Sequence, residues 1–189
     1  IDEEQSQVYF TSLEKSSIER HLYRIGLDGS GLQRITREEG VHKVSFGPDG
    51  KYYFDTYSNI NTLPAFALYS REGERLTVIA EPRPELLEEL QLQTPELFTI
   101  PTTDGFLMPA QILKPKDFNP GKKYPLIFNI YGGPSAPTVF NRWQGLSLFF
   151  DNMLLNRGYL VVKFDHRSAT AISKKLENRL LKMASGHRE

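Results

Sequence analysis

Hydrophobic and polar positions alternate at strand period through roughly the first eighty residues, and no long helical period interrupts them. Val8-Tyr9-Phe10-Thr11 is a β-branched and aromatic run, His21 to Ile25 alternates, and Leu32 to Thr36 makes a further short strand. Val44-Ser45-Phe46, Lys51 to Tyr57, Phe66 to Ser70 and Leu76 to Ala80 continue the series. The punctuation between them is turn chemistry. Asp28-Gly29-Ser30-Gly31, Gly47-Pro48-Asp49-Gly50 and Gly73 supply the positive φ, or the proline-fixed φ, that tight turns need. Tyr52, Tyr53, Phe54 and Tyr57 read as strand packing rather than a stacking platform. The pattern predicts an all-β first half.

A weak repeat sharpens this. Leu22-Tyr23, the Gly29 turn and Ile35 are echoed by Leu68-Tyr69, the Gly73 turn and Ile79, an offset of about 45 residues, the length of a four-stranded propeller blade. On that reading the first half holds the last three strands of one blade and the four strands of the next. A free-standing β-sandwich fits the same alternation, and the residues alone leave both readings open.

Pro82 to Pro95 is charged and proline-rich, as linkers between domains are, with a short helix over Glu85 to Leu92 started by Pro84. Beyond it the pattern changes. Leu97 to Thr102 and Leu107 to Leu113 flank Thr103-Asp104-Gly105 as a hairpin. Pro125 to Tyr131 is nearly continuous apolar, which predicts a strand buried on both faces, ending at Gly132-Gly133-Pro134. Trp143 to Asn156 carries Leu146, Phe149, Phe150, Met153 and Leu154 at helical spacing, and Gly158 ends it. Tyr159 to Phe164 is a second buried strand. Ser173 to Met183 reads as a helix with Ile172, Leu176, Leu180 and Met183 on one face. Hairpin, strand, helix, strand and helix is how an α/β sheet begins.

Composition narrows the function classes. In 189 residues, 23 Lys and Arg balance 23 Asp and Glu. That balance argues against a general nucleic-acid binder, which needs a basic footprint to displace counterions. No apolar run approaches the roughly 18 residues of a transmembrane helix, and Ile1-Asp2-Glu3-Glu4 is no signal peptide. The absence of cysteine excludes thiolate metal sites and a cysteine nucleophile. No metal-ligand spacing and no phosphate-cradling loop is present, so no cofactor is expected. Glu3-Glu4 and Glu88-Glu89 read as solvated charge. The chain also starts without methionine, consistent with a piece of something longer.

The stretch Lys123-Tyr124-Pro125-Leu126-Ile127-Phe128-Asn129-Ile130-Tyr131-Gly132-Gly133-Pro134, followed by Gly158 to Phe164 and Asp165-His166-Arg167, resembles the prolyl oligopeptidase family of serine peptidases, and within it the dipeptidyl peptidase IV branch, especially bacterial members. The resemblance runs from Val8 to about Arg188. It implies an α+β fragment: a partial β-propeller, its last blades over residues 1–81, then a linker over 82–96, then the N-terminal part of an α/β-hydrolase domain over 97–189. It implies a parent enzyme that removes N-terminal dipeptides with proline or alanine second, a peptide substrate, homodimers and a periplasmic location. Another oligopeptidase or acylaminoacyl-peptidase branch, or a non-catalytic propeller-hydrolase binding protein, are the alternatives. One departure stands out: the family has Arg-Gly-Ser where this chain has Arg167-Ser168-Ala169.

A serine hydrolase of this fold needs a Gly-x-Ser-x-Gly elbow, then an acid, then a histidine. No such pentapeptide occurs; Ser135 and Ser185 lack the flanking glycines. Of the four histidines, His21, His42, His166 and His187, none follows a credible nucleophile and acid. By the resemblance the triad lies downstream, so this stretch alone is inactive. One catalytic part is retained by the same resemblance: Tyr131 as the side-chain oxyanion donor, a role worth roughly 3–4 kcal/mol of transition-state stabilisation. On residues alone, Tyr131 reads rather as a phenol that caps the strand with a half-buried hydroxyl. Asp165 and Arg167 are expected to fix the loop that follows them, and His166 carries no assigned role. An unclosed propeller and a two-strand sheet start leave edges and faces that invite pairing. The chain expressed by itself is therefore expected to self-associate; a cooperatively folding monomer in light scattering and urea titration would contradict this.

Overall fold

The computed structural model describes residues 1–170, 175, 176 and 178. The helix expected over Ser173 to Met183, together with Ser185 and His187, lies outside the described residues apart from three positions. The described chain is mostly β, with two helices. It divides into two compact units, Ile1–Glu85 with Asn141–Trp143, and Leu86–Phe140 with Gln144–Glu189.

In the first unit, β1 (Gln7–Ser12), β2 (His21–Gly26) and β3 (Gln33–Arg34) form a three-stranded sheet in sequence order. A four-stranded meander follows: β4 (Val41–Phe46), β5 (Tyr52–Asn59), β6 (Thr62–Ser70) and β7 (Arg75–Ala80). Every pairing is antiparallel, as short turns dictate. The three-then-four strand series is the one the turn signals predicted. Its core is Leu22, Ile35 and Tyr53, with Tyr9, Val44, Phe46 and Tyr69 packed against them. The Tyr53 and Tyr69 rings stack at 5.3 Å, and Phe46 tilts against both Tyr53 and Tyr9. Tyr53 is thus the inward residue of its aromatic strand, while Tyr52 and Phe54 face outward. Gly73 holds φ 95° in the β6–β7 turn, and a Cβ there would press on the Ile35 side chain at 2.7 Å, so the turn needs glycine twice over.

A buried polar network accompanies this core, with no signal in the local residue pattern. His42 Nδ1 lies 2.6 Å from Asp55 Oδ2, and His42 Nε2 lies 2.9 Å from the Glu38 carbonyl. His21 lies between Thr36 and Glu19, each 3.1 Å away, and its ring stands 5.2 Å from that of His42. Asn141 completes the network from far along the chain. Its N–H donates to the Ile18 carbonyl at 2.8 Å, and its side chain donates to Glu19 at 2.9 Å and accepts from the Ile60 N–H at 3.3 Å.

The second unit is built on a four-stranded sheet ordered β10-β11-β9-β8. A short helix α1 (Glu85–Glu89) precedes β8 (Glu96–Pro101), which pairs antiparallel with β9 (Leu107–Leu113). Strand β10 (Leu126–Phe128) runs parallel to β11 (Leu160–Phe164), with α2 (Leu146–Leu155) between them in sequence. Two expectations are corrected here. Pro125 to Tyr131 is not a strand buried on both faces. Only three residues pair, Phe128 is 58% exposed, and Leu126 and Ile130 are exposed too. The reason is position: among the described strands β10 lies at the edge, whereas β11, with neighbours on both sides, buries Val161, Val162 and Lys163 in succession.

The inner face of α2 is also different. Leu148, Asp151, Asn152 and Leu155 point inward, while Leu146, Phe149, Phe150 and Met153 are exposed and Leu154 is half-buried. The helix is apolar around most of its girth, so apolar spacing alone does not choose a face. The choice follows the polar groups. Asn152 accepts the Gln93 N–H at 2.7 Å and donates to the Gln93 carbonyl at 3.0 Å, and Asp151 meets Lys163.

The His42 pair makes a pH prediction. Burial opposes the His42 charge, but the hydrogen bond and charge of Asp55, with the Glu38 carbonyl, outweigh it and raise the pKa. The folded state then holds this proton more tightly than the unfolded chain. The stabilisation is complete below about pH 6.5 and fades as pH rises through the raised value. His21 is shifted the other way, lowered chiefly by burial, so it costs stability as pH falls below about 6.5. Asp55→Asn leaves His21 in place and should cost about 1.5–3 kcal/mol near pH 6, and clearly less near pH 9.5. Urea titrations at the two pH values, followed by the single tryptophan, Trp143 of this unit, check it.

Candidate active site

The carboxyl end of β11 and the loop after β10 make the candidate site. Tyr131 follows β10 and is 68% exposed, and its hydroxyl has no hydrogen-bond partner among the described residues. It is therefore a phenol standing free beyond a strand end, not a cap buried against the sheet. Gly132 takes φ 75°, and a Cβ at Gly133 would overlap the Tyr131 ring, so both glycines are needed for the chain to turn beside that ring. Pairing ends just upstream, where the Asn129 N–H donates to the Val162 carbonyl at 2.9 Å.

Asp165, the residue after β11, is buried. Its carboxylate accepts the Thr138 N–H at 2.8 and 2.9 Å, the Thr138 hydroxyl at 2.8 Å and the Val139 N–H at 2.8 Å. It holds the upstream loop that carries Tyr131, not the loop that follows it in sequence. Arg167 likewise reaches back. Its guanidinium meets Asp104 at 2.6 Å and lies over the Phe106 ring at 5.1 Å, fastening the β8–β9 turn. The hydrogen bond from Arg167, joined by one from Thr102, holds the Asp104 carboxyl well below the usual carboxylate range. His166 Nδ1 accepts the Ser168 N–H at 3.2 Å and so shapes the next turn. Ser168, standing where the family has glycine, takes an ordinary negative φ; among the described residues the only non-glycine residues at positive φ are Ser6, Gln91 and Ser135. The missing glycine therefore imposes no strain here.

Beneath the site lies a polar cluster that sequence reasoning missed. Lys163 Nζ donates to Asp151 Oδ2 at 2.7 Å and to Gln144 Oε1 at 3.1 Å, and Gln144 Nε2 donates to Gln111 Oε1 at 2.8 Å. All but Gln144 are buried. A lysine inside an apolar strand and an acid in the preceding helix are the signal that could have found it. Glu3, Glu4, Glu88 and Glu89 are exposed, as solvated charge should be. No group of three or more His, Cys, Asp or Glu is gathered as a metal site among the described residues.

Known proteins resemble this chain in sequence and in fold. The family described as the dipeptidyl peptidase IV (DPP IV) N-terminal region matches residues 1–64. A probable dipeptidyl-aminopeptidase B of Aspergillus clavatus is 34% identical over 183 residues, covering 93% of this chain and 20% of that protein. Dipeptidyl peptidase 8 of Homo sapiens is 31% identical over 185 residues, 94% of this chain and 21% of that one. The crystal structure of Porphyromonas gingivalis dipeptidyl peptidase 4 superposes with a TM-score of 0.82 at 26% identity, covering 93% of this chain and 25% of that one. The chain is similar, along nearly its whole length, to dipeptidyl peptidase IV-like members of the prolyl oligopeptidase family. It spans about a fifth of the length of the curated relatives it matches.

The buried pair gives a direct test. Lys163→Met strands Asp151 without its cation and should cost about 3–5 kcal/mol, whereas Lys163→Met with Asp151→Leu should recover most of that loss. Urea midpoints of the three proteins measure it.

Proposed function

We propose that the protein carrying this chain is a serine exopeptidase that releases N-terminal dipeptides with proline or alanine second, through an acyl-enzyme. Residues 1–81 are then the terminal strands of a β-propeller, 82–96 the linker, and 97–189 the start of an α/β-hydrolase domain. What supports the domain reading is the antiparallel three-then-four strand series, followed by a mixed sheet with a parallel β10–β11 pair joined through α2. The relatives' names, dipeptidyl peptidase and dipeptidyl-aminopeptidase, support the activity.

The observation that carries the site is the free Tyr131 phenol. A tetrahedral intermediate places negative charge on the former carbonyl oxygen, and a donor fixed where that charge develops lowers the barrier. Tyr131 is suited to this because its hydroxyl is not already engaged among the described residues and its backbone is held by a glycine turn. The serine, acid and histidine would come from elsewhere in the protein, since no Gly-x-Ser-x-Gly occurs in this sequence. Substrate is a peptide, and the chemistry needs no cofactor. Homodimers and a periplasmic location belong to the same proposal and rest on the resemblance alone. No helix among the described residues is long and apolar enough to cross a membrane.

Full-length protein should hydrolyse Gly-Pro-p-nitroanilide, and this chain alone should not. Tyr131→Phe should lower kcat about 100- to 1000-fold with little change in KM. Preference for an N-acylated aminoacyl substrate would point to the acylaminoacyl branch instead. Absence of turnover on either substrate class would favour a binding protein.

A further inference from the structure

The loop from Tyr131 to Val139 holds two residues in left-handed conformation, Gly132 at φ 75° and Ser135 at φ 52°. Such a conformation is unfavourable for a residue with a side chain, so Ser135 keeps it only where surrounding groups enforce it. Two groups do. The Ser168 carbonyl accepts the Ser135 N–H at 2.9 Å. The Asp165 carboxylate gathers the consecutive Thr138 and Val139 amides and the Thr138 hydroxyl, all at 2.8–2.9 Å. Successive amides converging on one anion form a nest, and a charged acceptor makes each bond stronger.

Neither end of this clamp is free to slide. The Val139 side chain is fully buried, and the Asp165 N–H donates to the Pro109 carbonyl at 2.9 Å. The other end of the loop is set by the pairing of β10 with β11. Tyr131 thus sits on an arc whose two ends are both fixed by β11 and the turn after it. We propose that Asp165 is a positioning residue for oxyanion stabilisation, its carboxylate setting the arc that places the Tyr131 hydroxyl. The proposal rests on the oxyanion reading of Tyr131. Asp165 touches no reacting atom; it acts through the loop.

Asparagine is a sharp probe, because it keeps the shape but turns one acceptor into a donor that faces a backbone N–H. The loop must then shift, and a displacement of about 1 Å can cost about 100-fold in rate. In the full-length protein, with Gly-Pro-p-nitroanilide, Asp165→Asn should lower kcat about 10- to 100-fold and leave KM within about twofold. In a Tyr131→Phe background the same change should cost less than about threefold, since the hydroxyl it places is gone. Thr138→Val, which removes only the hydroxyl donor, should give a weaker form of this pattern, and Thr138→Ser should restore the parent kcat. An unchanged kcat in Asp165→Asn, or its full cost repeated beside Tyr131→Phe, overturns the proposal alone. If Asp165→Asn does not fold, the Thr138 pair in both backgrounds decides by the same criterion. A parent-like kcat in Tyr131→Phe by itself overturns the oxyanion reading, and this proposal with it.

Discussion

A charge taken out of water must meet partners fixed in place, or the fold that buries it fails. Three carboxylates meet that demand here, and the local architecture is arranged around them. Asp55 holds the His42 imidazole inside the first unit. Asp151 holds Lys163 between α2 and the sheet of the second. Asp165 gathers the amides of the Tyr131 loop. The last two join elements that no strand pairing joins, whereas Asp55 and His42 lie on the paired strands β5 and β4. The demand is not met completely: Asp55 Oδ1 and Gln111 Nε2 are buried without a partner among the described residues.

Strand β11 concentrates this logic in the second unit. It pairs parallel with β10 and antiparallel with β9, so its backbone groups are engaged on both edges. Lys163 points from it to α2, and Asp165 extends from its end to the loop. One five-residue strand therefore orients the helix, the edge strand and the arc that bears Tyr131. A site on such a scaffold is placed by rigid elements rather than by the loop's own preferences. Nothing among the described residues holds the exposed Tyr131 hydroxyl directly.

The strand series of the first unit was legible because its signals are local. Gly29, Gly50 and Gly73 stand at positive φ where the turn chemistry required them, and the alternation of Tyr52, Tyr53 and Phe54 sorted one ring inward and two outward. The candidate site was legible in part: the glycines after Tyr131 announce a sharp turn, and the resemblance singled out the phenol. What Asp165 grips was not legible, since Thr138 lies 27 residues upstream of it in sequence. The excursion of Asn141–Trp143 into the first unit has no composition signal at all.

Sequence by itself determined the element types, most of their limits, the absence of a serine elbow and the family to which the chain is similar. These follow from residue periods, turn chemistry and motif spacing, which act over a few positions. Tertiary structure alone decided which faces are inside. Pro125 to Tyr131 and Tyr159 to Phe164 are nearly alike as apolar runs, yet among the described strands one is an exposed edge and the other a buried centre, because burial depends on neighbours that strand order supplies. Helix α2 turned its polar residues inward for the same reason: Lys163 and Gln93 were waiting there, and only the folded chain brings them within hydrogen-bonding distance.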